Sequence, residues 1–268
     1  MRRLIWLSDT HLNVLPRSWR KRLFIDRVKA ISPDLILITG DITTGEKIED
    51  DLMWLSESFQ EQQILFVMGN HDYHSRGFQE VNESVSQLVS GRTNLHWLTQ
   101  KGVLSLNSST AIIGTEGWYD AALGDPSFLR YTMDWFCIHE LRSLPTMSER
   151  IEMFIDMATK SAMKIEQSLV LAVQDHNTVL IATHFPPWSV ATSLTGTRLE
   201  RFWLPYSVNT VLGKAIENVA AAYPDKRIIV LSGHTHVPNV AKISDNVECR
   251  VSHATRWGRI REHSIIKV

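Results

Sequence analysis

Residues 4–11 read LIWLSDTH, a short apolar run that leads directly into an Asp and a His. Two further runs, LILITGD at residues 35–41 and ILFVMGNHD at residues 64–72, repeat this arrangement of β-type residues followed by polar ones. Stretches of helical character, about residues 17–31 and 47–60, separate the three runs. Apolar strands joined by crossover helices are typical of a parallel sheet that is buried on both faces. The sequence therefore predicts an α/β fold.

The polar residues that follow these strands are predicted to meet at one edge of the sheet. In open α/β sheets, ligands bind in the crevice at the carboxyl ends of the parallel strands. Two later apolar runs, about residues 179–182 and 228–231, are also predicted strands, and each leads to histidines. The polar segments after the five strands are residues 8–11, 40–41 and 69–72, His184, and residues 233–236. Separate polar clusters are thus expected to converge on one crevice.

The composition is that of an ordinary chain with a buried core, since 44% of its 268 residues are hydrophobic. Lys and Arg number 28 against 29 Asp and Glu, so the formal charge of -1 gives no overall field that would attract nucleic acid or acidic membranes. Cys137 and Cys249 have no metal-type spacing and form no disulfide framework, and both are expected to be core thiols. No stretch approaches the ~20 apolar residues of a membrane span, and the first apolar run is too short for a signal peptide. We expect a cytoplasmic protein without membrane attachment, of unassigned oligomeric state.

The chain has no internal repeat, low-complexity tract or flexible linker, so residues 1–268 are predicted to form a single domain. Between Pro126 and Asn177 the apolar residues recur at helical spacing, which predicts a helical, cap-like insertion. Residues 95–114 are predicted to form shorter strands around a turn at residues 107–109. The tail, residues 247–268, is predicted to add two or three closing strands.

Several of these motifs are weak when they are taken alone. Asp9 and His11 can equally be a helix cap and a surface histidine, and an Asp after a strand, such as Asp41, often begins a turn. His184 can be a buried, hydrogen-bonded core histidine. The two imidazoles of residues 234–236 lie on one side of a segment that leaves a strand, which favours metal binding. The occurrence of all these motifs, each at the end of a predicted strand, favours a metal site.

The same residues resemble the signature of the calcineurin-like metallophosphoesterases, and the resemblance spans nearly the whole chain. It implies a two-sheet β-sandwich flanked by helices. It also implies two metal ions, of which the first is held by Asp9, His11 and His236, the second by Asn70, His184 and His234, and both by a bridging Asp41.

Two cations ~3.5–4 Å apart can clamp the phosphoryl oxygens and lower the pKa of a bridging water, so that a bridging hydroxide acts as the nucleophile. Nitrogen and oxygen ligands without thiolate favour Mn, Fe, Co or Zn, and they do not select among these four. The expected cofactors are therefore two divalent or mixed-valence transition-metal ions.

The remaining polar residues after the third strand have no metal in this scheme. The resemblance makes His71 the group that stabilises the phosphoryl charge and protonates the leaving oxygen, and Asp72 is expected to orient or charge its imidazole. Alternatively, Asp72 is a loop residue that caps a helix near Ser75. His74 is expected to be a solvated loop histidine. Four further histidines are expected to be structural or exposed: His96, His139, His176 and His263. His253, in the C-terminal segment 252–257, is expected on a surface loop, with an approach to the site as the alternative.

Substrate recognition is assigned to the stretch between residues 186 and 205, which is long and has little periodicity, as site-covering loops do. A phosphate-binding Arg and a stacking Trp would suit a nucleotide or another aromatic ester. The alternative is an ordinary surface loop whose aromatic residues pack on the core. The candidate side chains in this stretch are Trp188, Arg198, Arg201, Phe202 and Trp203, and a second candidate pair is Trp118 and Tyr119.

The sequence therefore predicts a hydrolase of small or nucleotide-like phosphate esters, either monoesters or diesters. The alternatives are a catalytically silent scaffold with the same fold, a nuclease or a phosphoprotein phosphatase. His71 disfavours the lipid-pathway pyrophosphatases of the family, which tend to carry Arg at that position. The absence of a basic excess disfavours a nucleic-acid substrate. A metallohydrolase of amides or lactams would need a His-x-His-x-Asp-His cluster, which the sequence lacks.

Overall fold

The computed structural model describes residues 2–14, 18–194, 196 and 199–268. The described strands form two sheets. The strands of the first sheet are β1 (Arg3–Leu7), β2 (Leu35–Thr39), β3 (Gln63–Val67), β4 (Leu95–Trp97) and β11 (Ile265–Lys267), in the order β11-β1-β2-β3-β4. The strands of the second sheet are β5 (Leu104–Ser105), β6 (Thr110–Thr115), β7 (Thr178–Thr183), β8 (Arg227–Ser232), β9 (Asn239–Lys242) and β10 (Val247–Val251), in the order β5-β6-β7-β8-β10-β9.

Both sheets are mainly parallel and carry antiparallel strands at one or both edges. Strands β1 to β4 run parallel, and β11 pairs antiparallel with β1. In the second sheet β6, β7, β8 and β10 run parallel, and the edge strands β5 and β9 are antiparallel. Side chains from the inner faces of both sheets, including Trp6, Leu65, Leu180 and Leu231, form one buried core. This confirms the predicted α/β class and the two-sheet sandwich.

Helices cover the outer faces of the sandwich. The longer helices are α1 (Ser18–Ala30), α2 (Ile48–Ser58), α3 (Phe78–Ser90), α7 (Met147–Asp175) and α9 (Thr210–Ala222), and the short ones are α4 (Leu98–Lys101), α5 (Asp134–Cys137), α6 (His139–Ser143) and α8 (Glu200–Trp203). Helices α1, α2 and α3 bury their apolar faces against the first sheet, and α7 and α9 against the second. The alternating outer residues of each strand supply the opposite side of these two cores.

Several elements differ from the prediction. Leu95–Trp97 joins the first sheet beside β3, so only β5 and β6 pair around the turn at residues 107–109. Helix α3 and strand β9 were not predicted. The two closing strands of the tail belong to different sheets, and Cys137 is only half-buried whereas Cys249 is buried. The N-terminal residue expected for the first helix, Arg17, lies outside the described residues.

The segment predicted as an insertion is helical. Its main element, α7, begins at a capping box in which Thr146 and Glu149 exchange hydrogen bonds, and it extends for 29 residues. The later part of α7 packs beside α9 on the second sheet, whereas residues 131–134 reach the polar edge of the sandwich. Assignment of the whole chain to a single domain stays a prediction. Within the described ranges, no helix combines the length and the apolarity needed to cross a membrane.

Candidate metal centre

The predicted ligands all lie in loops that leave the carboxyl ends of parallel strands. Loops after β1, β2 and β3 belong to the first sheet, and loops after β7 and β8 belong to the second. The ligands carried by these five loops, in the same order, are Asp9 and His11, Asp41, Asn70, His184, and His234 and His236. The two sheets therefore bring their strand ends to one edge of the sandwich, as the strand pattern predicted.

Four of these side chains form one compact group of ligand atoms. The Nε2 atom of His236 lies 3.0 Å from Asp9 Oδ1 and 3.5 Å from His11 Nε2. One ligand atom from each of Asp9, His11, Asp41 and His236 lies within 4.8 Å of all the others. Carboxylate oxygens and imidazole nitrogens at this spacing suit one divalent cation.

A second group of acceptor atoms lies on the other side of Asp41. The Nε2 atom of His184 is 3.2 Å from Asn70 Oδ1 and 3.4 Å from Asp41 Oδ1. The Nδ1 atom of His184 lies 2.9 Å from the Thr39 carbonyl, so the neutral ring donates there and keeps its Nε2 lone pair directed at the other two atoms. Three acceptors thus converge on one point, which is the arrangement that a cation requires.

His234 lies beside this second group. Its Nε2 atom lies 2.9 Å from the Tyr206 carbonyl oxygen, to which it donates, so Nδ1 is the nitrogen left for a metal. The ring centroid is 5.2 Å from that of His184. Burial lowers the pKa of His234 to about 4 and that of His11 also to about 4, which keeps both imidazoles in the neutral form that binds metals.

Asp41 is shared by the two groups. Its Oδ1 atom faces His184, and its Oδ2 atom lies 3.8 Å from His11 Nε2. Burial alone would raise the pKa of Asp41, but the surrounding imidazoles, His184 foremost, hold it well below its usual range. For His184, burial lowers the pKa, but the carboxylates of Asp41 and Asp9 raise it above its ordinary value. The two carboxylates that favour a proton on His184 would also favour a metal cation at this position.

The backbone of the ligand loops is strained. Five ligands have positive φ, with values of 50° at Asp9, 43° at His11, 51° at Asp41, 68° at His234 and 60° at His236. Such left-handed conformations are costly for residues with a side chain, and they cluster at functional sites. These backbone conformations direct side chains from separate loops toward a common point.

Two glycines of the motifs are required by close packing behind the ligands. A Cβ atom at Gly69 would lie 2.3 Å from Asp41 Oδ1, and one at Gly233 would lie 2.5 Å from Asp9 Oδ2. Both distances are far below van der Waals contact, so any side chain at either glycine would displace a ligand. The Gly-Asn and Gly-His pairs of the sequence thus have a steric origin.

His71 lies beside the two groups. Its side chain is 40% exposed, its Nε2 atom is 3.9 Å from Asp41 Oδ2, and its ring centroid is 5.0 Å from that of His11. The backbone amide of His71 donates to Asp41 Oδ1 at 3.0 Å. The imidazole therefore borders the ligands while one side faces the open pocket, as a proton donor to a bound ester would.

Asp72 has different partners from those expected. It is fully buried, and its two carboxylate oxygens accept hydrogen bonds of 2.8 Å from the backbone amides of Thr43 and Gly69. Burial and the nearby Asp41 charge raise the pKa of Asp72 to about 7. Asp72 was expected to contact the His71 imidazole or, alternatively, to cap a helix near Ser75. Its carboxylate forms these two hydrogen bonds to backbone amides instead. Asp72 connects the loops after β2 and β3.

Three residues were missed or misjudged from the sequence. Asp134, at the start of α5, is a buried carboxylate that accepts hydrogen bonds from Asn70 Nδ2 at 2.8 Å, His74 Nε2 at 2.7 Å and the Tyr119 hydroxyl at 3.0 Å. It turns the amide oxygen of Asn70 toward His184. The expectation that His74 is solvated was wrong, because its side chain is buried against Asp134. His253, expected on a surface loop, is likewise buried and lies 2.9 Å from the Arg259 carbonyl.

A pocket of about 690 Å³ opens over the ligands. Phe202 and Trp203, from the stretch predicted to cover the site, form part of its wall. Trp188 instead donates to Glu217 at 2.7 Å and packs on the core of the second sheet, and Arg201 forms an exposed ion pair with Asp125. Arg198 lies outside the described residues. Trp118 and Tyr119 are buried core residues, as their alternative interpretation held.

Comparisons with known proteins agree with this geometry. A sequence model of the calcineurin-like phosphoesterases matches residues 2–238. A Bos taurus transmembrane protein with a metallophosphoesterase domain is 23% identical over 89% of this chain, and the match covers 41% of that protein. A Danio rerio protein of the same description matches 40% of this chain and 28% of its own length, again at 23% identity. The chain thus spans less than half the length of these curated relatives.

Solved structures share the fold at low sequence identity. A dimetal phosphatase from Danio rerio superposes with a TM-score of 0.58 at 12% identity, covering 94% of this chain and 88% of that one. The Thermus thermophilus protein TT1561 gives a TM-score of 0.52 at 11% identity, covering 96% and 90%. Since the family match extends over most of the sequence and includes the five ligand-bearing loops, the chain belongs to the calcineurin-like phosphoesterase family.

Proposed function

We propose that this chain is a dinuclear metal-dependent hydrolase of small phosphate esters, either monoesters or diesters. The observation that carries the proposal is the pair of acceptor groups that share Asp41. Asp9, His11 and His236 would hold one ion, and Asn70, His184 and His234 would hold the other. The donor set contains no thiolate, which suits Mn, Fe, Co or Zn.

The side chains fit two cations on grounds other than family membership. The converging atoms are acceptors, and second contacts orient three of them: Thr39 for His184, Tyr206 for His234 and Asp134 for Asn70. When bound, two cations would polarise the phosphoryl oxygens and lower the pKa of a water molecule at the site. The protein supplies the fixed positions, since the ligand loops leave the ends of buried strands.

His71 is proposed as the residue that acts on the ester itself. Its imidazole borders both ligand groups and faces the pocket, so it can stabilise charge on the phosphoryl oxygens. A proton held on this ring can pass to the leaving oxygen as the ester bond breaks. Asp72 is proposed to act only by joining the loops after β2 and β3.

The alternatives of a silent scaffold and a nuclease have less support. Loss of turnover would be expected to remove ligands, whereas every predicted ligand position holds a carboxylate, imidazole or amide side chain that can bind a metal. Binding of nucleic acid depends on cationic contacts to phosphates, but the described residues that line the pocket include no Lys or Arg. A phosphoprotein substrate stays an alternative.

The test is turnover by metal-loaded protein of p-nitrophenyl phosphate, its bis ester and cyclic nucleotides, alongside the nearly isosteric variant Asp41→Asn. We expect at least one substrate to be hydrolysed by the parent and the variant to be nearly inactive. Elemental analysis supplies the metal content of both proteins. A parent that contains two metal ions and hydrolyses none of these esters would contradict the proposed hydrolysis of small phosphate esters and favour the scaffold or phosphoprotein alternative.

A further inference from the structure

The pocket over the ligands combines a polar floor with an apolar wall. Its floor includes Asp41, Asn70 and the histidines, and the wall comes from two parts of the chain, residues 131–134 and the described residues among 194 and 199–207. The apolar side chains of the wall are Tyr131, Met133, Leu194, Leu199, Phe202 and Trp203. A volume of about 690 Å³ is typical of a small-molecule site.

The wall is unusual because much of it is exposed. The exposed fractions are 62% for Tyr131, 59% for Met133, 56% for Leu199 and 41% for Trp203. Single exposed apolar residues are common on protein surfaces, but a group of them around one opening marks a surface that binds an apolar partner. These residues adjoin the proposed metal ligands, so their partner is expected to be part of the substrate.

The two wall segments are held against each other. Phe128 packs on Phe202 with ring centroids 4.7 Å apart, and the Tyr131 ring lies nearly parallel to Phe202 at 6.4 Å. Asp125 pairs with Arg201 at 2.9 Å, and its backbone amide also donates to the Arg201 carbonyl. The apolar surface is therefore formed before a ligand binds.

The charges of the pocket argue against a polyanion. The described lining residues include the carboxylates Asp41 and Asp134 and contain neither Lys nor Arg. A nucleoside polyphosphate would place several negative charges along this wall without cationic partners, which is costly away from water. A single phosphoryl group at the ligands with an uncharged, apolar remainder avoids that cost.

We infer that the substrate is a phosphate ester of an apolar alcohol, with an alkyl chain of several carbons lying along the wall formed by Tyr131, Met133, Leu199 and Trp203. This inference rests on the proposed function, since it places the phosphoryl group at the metal ligands. Trp203 and Leu199 would be residues that determine specificity, because each adds apolar contact without touching the reacting atoms.

The experiment compares straight-chain alkyl phosphates from ethyl to octyl, together with their methyl diesters. Beyond ethyl the leaving alcohols differ little in basicity, so differences in kcat/KM report apolar contact. Partial to full burial of one methylene is worth about two- to fourfold in kcat/KM. Hexyl phosphate should therefore exceed ethyl phosphate by roughly 15- to 250-fold, and adenosine monophosphate should be a poorer substrate than hexyl phosphate.

Variants of wall residues test whether the dependence of kcat/KM on chain length arises from contact with the wall. Trp203→Ser and Leu199→Ser should each reduce the gain per methylene, whereas Leu171→Ser should leave it unchanged, because Leu171 is equally exposed (59%) but lies on α7 outside the pocket. The second readout is calorimetric binding of non-hydrolysable alkylphosphonates, whose affinity should rise with chain length with a negative heat-capacity change.

The outcomes separate this inference from the proposed function. Hydrolysis with no dependence on chain length, preference for the nucleotide, or an equal effect of Leu171→Ser would overturn the apolar-substrate inference and leave the hydrolase intact. Binding of alkylphosphonates that tightens with chain length, without turnover of any ester, would overturn the hydrolase and retain the ligand class.

Discussion

Replacement of Asp134 by Asn tests how the segment after β6 supports the proposed second metal site. Asp134 lies 64 residues from Asn70 in sequence, yet its Oδ1 atom receives hydrogen bonds from both Asn70 and His74. Asn at this position keeps the shape and one acceptor, but it loses the charge and presents a donor to groups that already donate. The hydrogen bond that directs the oxygen of Asn70 toward His184 is then weakened, because a neutral amide oxygen accepts less strongly than a carboxylate.

The expected magnitude follows from the loss of a support behind a ligand. Such losses typically weaken metal binding by about 10- to 100-fold, or about 1.4–2.7 kcal/mol. The effect should be confined to the second site, because the contacts of Asp134 are with Asn70, His74 and Tyr119 and not with the ligands of the first site. Loss of the charged hydrogen bond to His74 should also lower the free energy of unfolding of metal-free protein by about 1.5–3 kcal/mol.

The stability difference between parent and variant should depend on pH. Burial lowers the pKa of His74, but Asp134 raises it above the ordinary 6.5, so this stabilisation is complete below pH 6.5 and is lost as the pH rises through the folded value. Burial raises the pKa of Asp134, but His74 lowers it below the ordinary 3.8, so its stabilisation is present above that pH and lost in stronger acid. The difference should therefore be largest between these two values.

The assay is calorimetric titration of metal-stripped protein with Mn²⁺, which resolves a tighter and a weaker binding step, together with urea unfolding. Asp125→Asn is the matched control, because it removes a carboxylate from the same segment. This carboxylate forms an exposed ion pair with Arg201, and Asn can replace it as a helix cap. Equal weakening of both metal sites by Asp134→Asn, or the same loss in the control, would refute a specific support of Asn70.

Three further predictions concern the centre itself. Asp41→Ala should weaken both metal sites together, and elemental analysis that finds a full metal complement would remove its bridging assignment. His71→Ala should lower turnover by ~10²–10⁴ with metal content intact, with the smallest deficit for p-nitrophenyl esters, since that leaving group needs little protonation. Equal deficits across leaving groups would instead indicate that His71 positions the phosphoryl group. Gly69→Ala should lose bound metal, because its Cβ atom would lie 2.3 Å from Asp41 Oδ1, whereas Gly91→Ala, whose nearest neighbour is 3.7 Å away, should bind metal normally.

The positions of the predicted ligands could be inferred from the sequence because they depend on strand ends. Apolar runs such as residues 35–39 can be buried on both faces only within a covered sheet, and parallel strands then present their carboxyl ends together. The polar residues directly after each run had to lie at that edge. His184 and residues 234–236, which follow strands of the other sheet, reach the same edge because both sheets end there.

The supports of the site were not predictable, because they come from segments without periodic or motif signals. Asp134 lies in a four-residue helix within the insertion, and the Tyr206 carbonyl that orients His234 is a backbone atom. His74 looked solvated because its burial depends on Asp134, 60 residues later. The edge position of β4 was missed for a similar reason, since three residues carry too little alternation to assign a sheet.

The strain in the ligand loops is offset by hydrogen bonds between the loops. Five ligands in left-handed conformations together cost several kcal/mol, at about 1 kcal/mol or more each, which is comparable with the net stability of a domain. Backbone hydrogen bonds from Asp9 to Gly40 at 3.0 Å and from His11 to Asp41 at 2.9 Å tie the first loop to the second. Asp72 ties the second to the third, through the amides of residues 43 and 69. These hydrogen bonds therefore offset part of the backbone strain and hold the acceptors of the three loops in fixed relative positions.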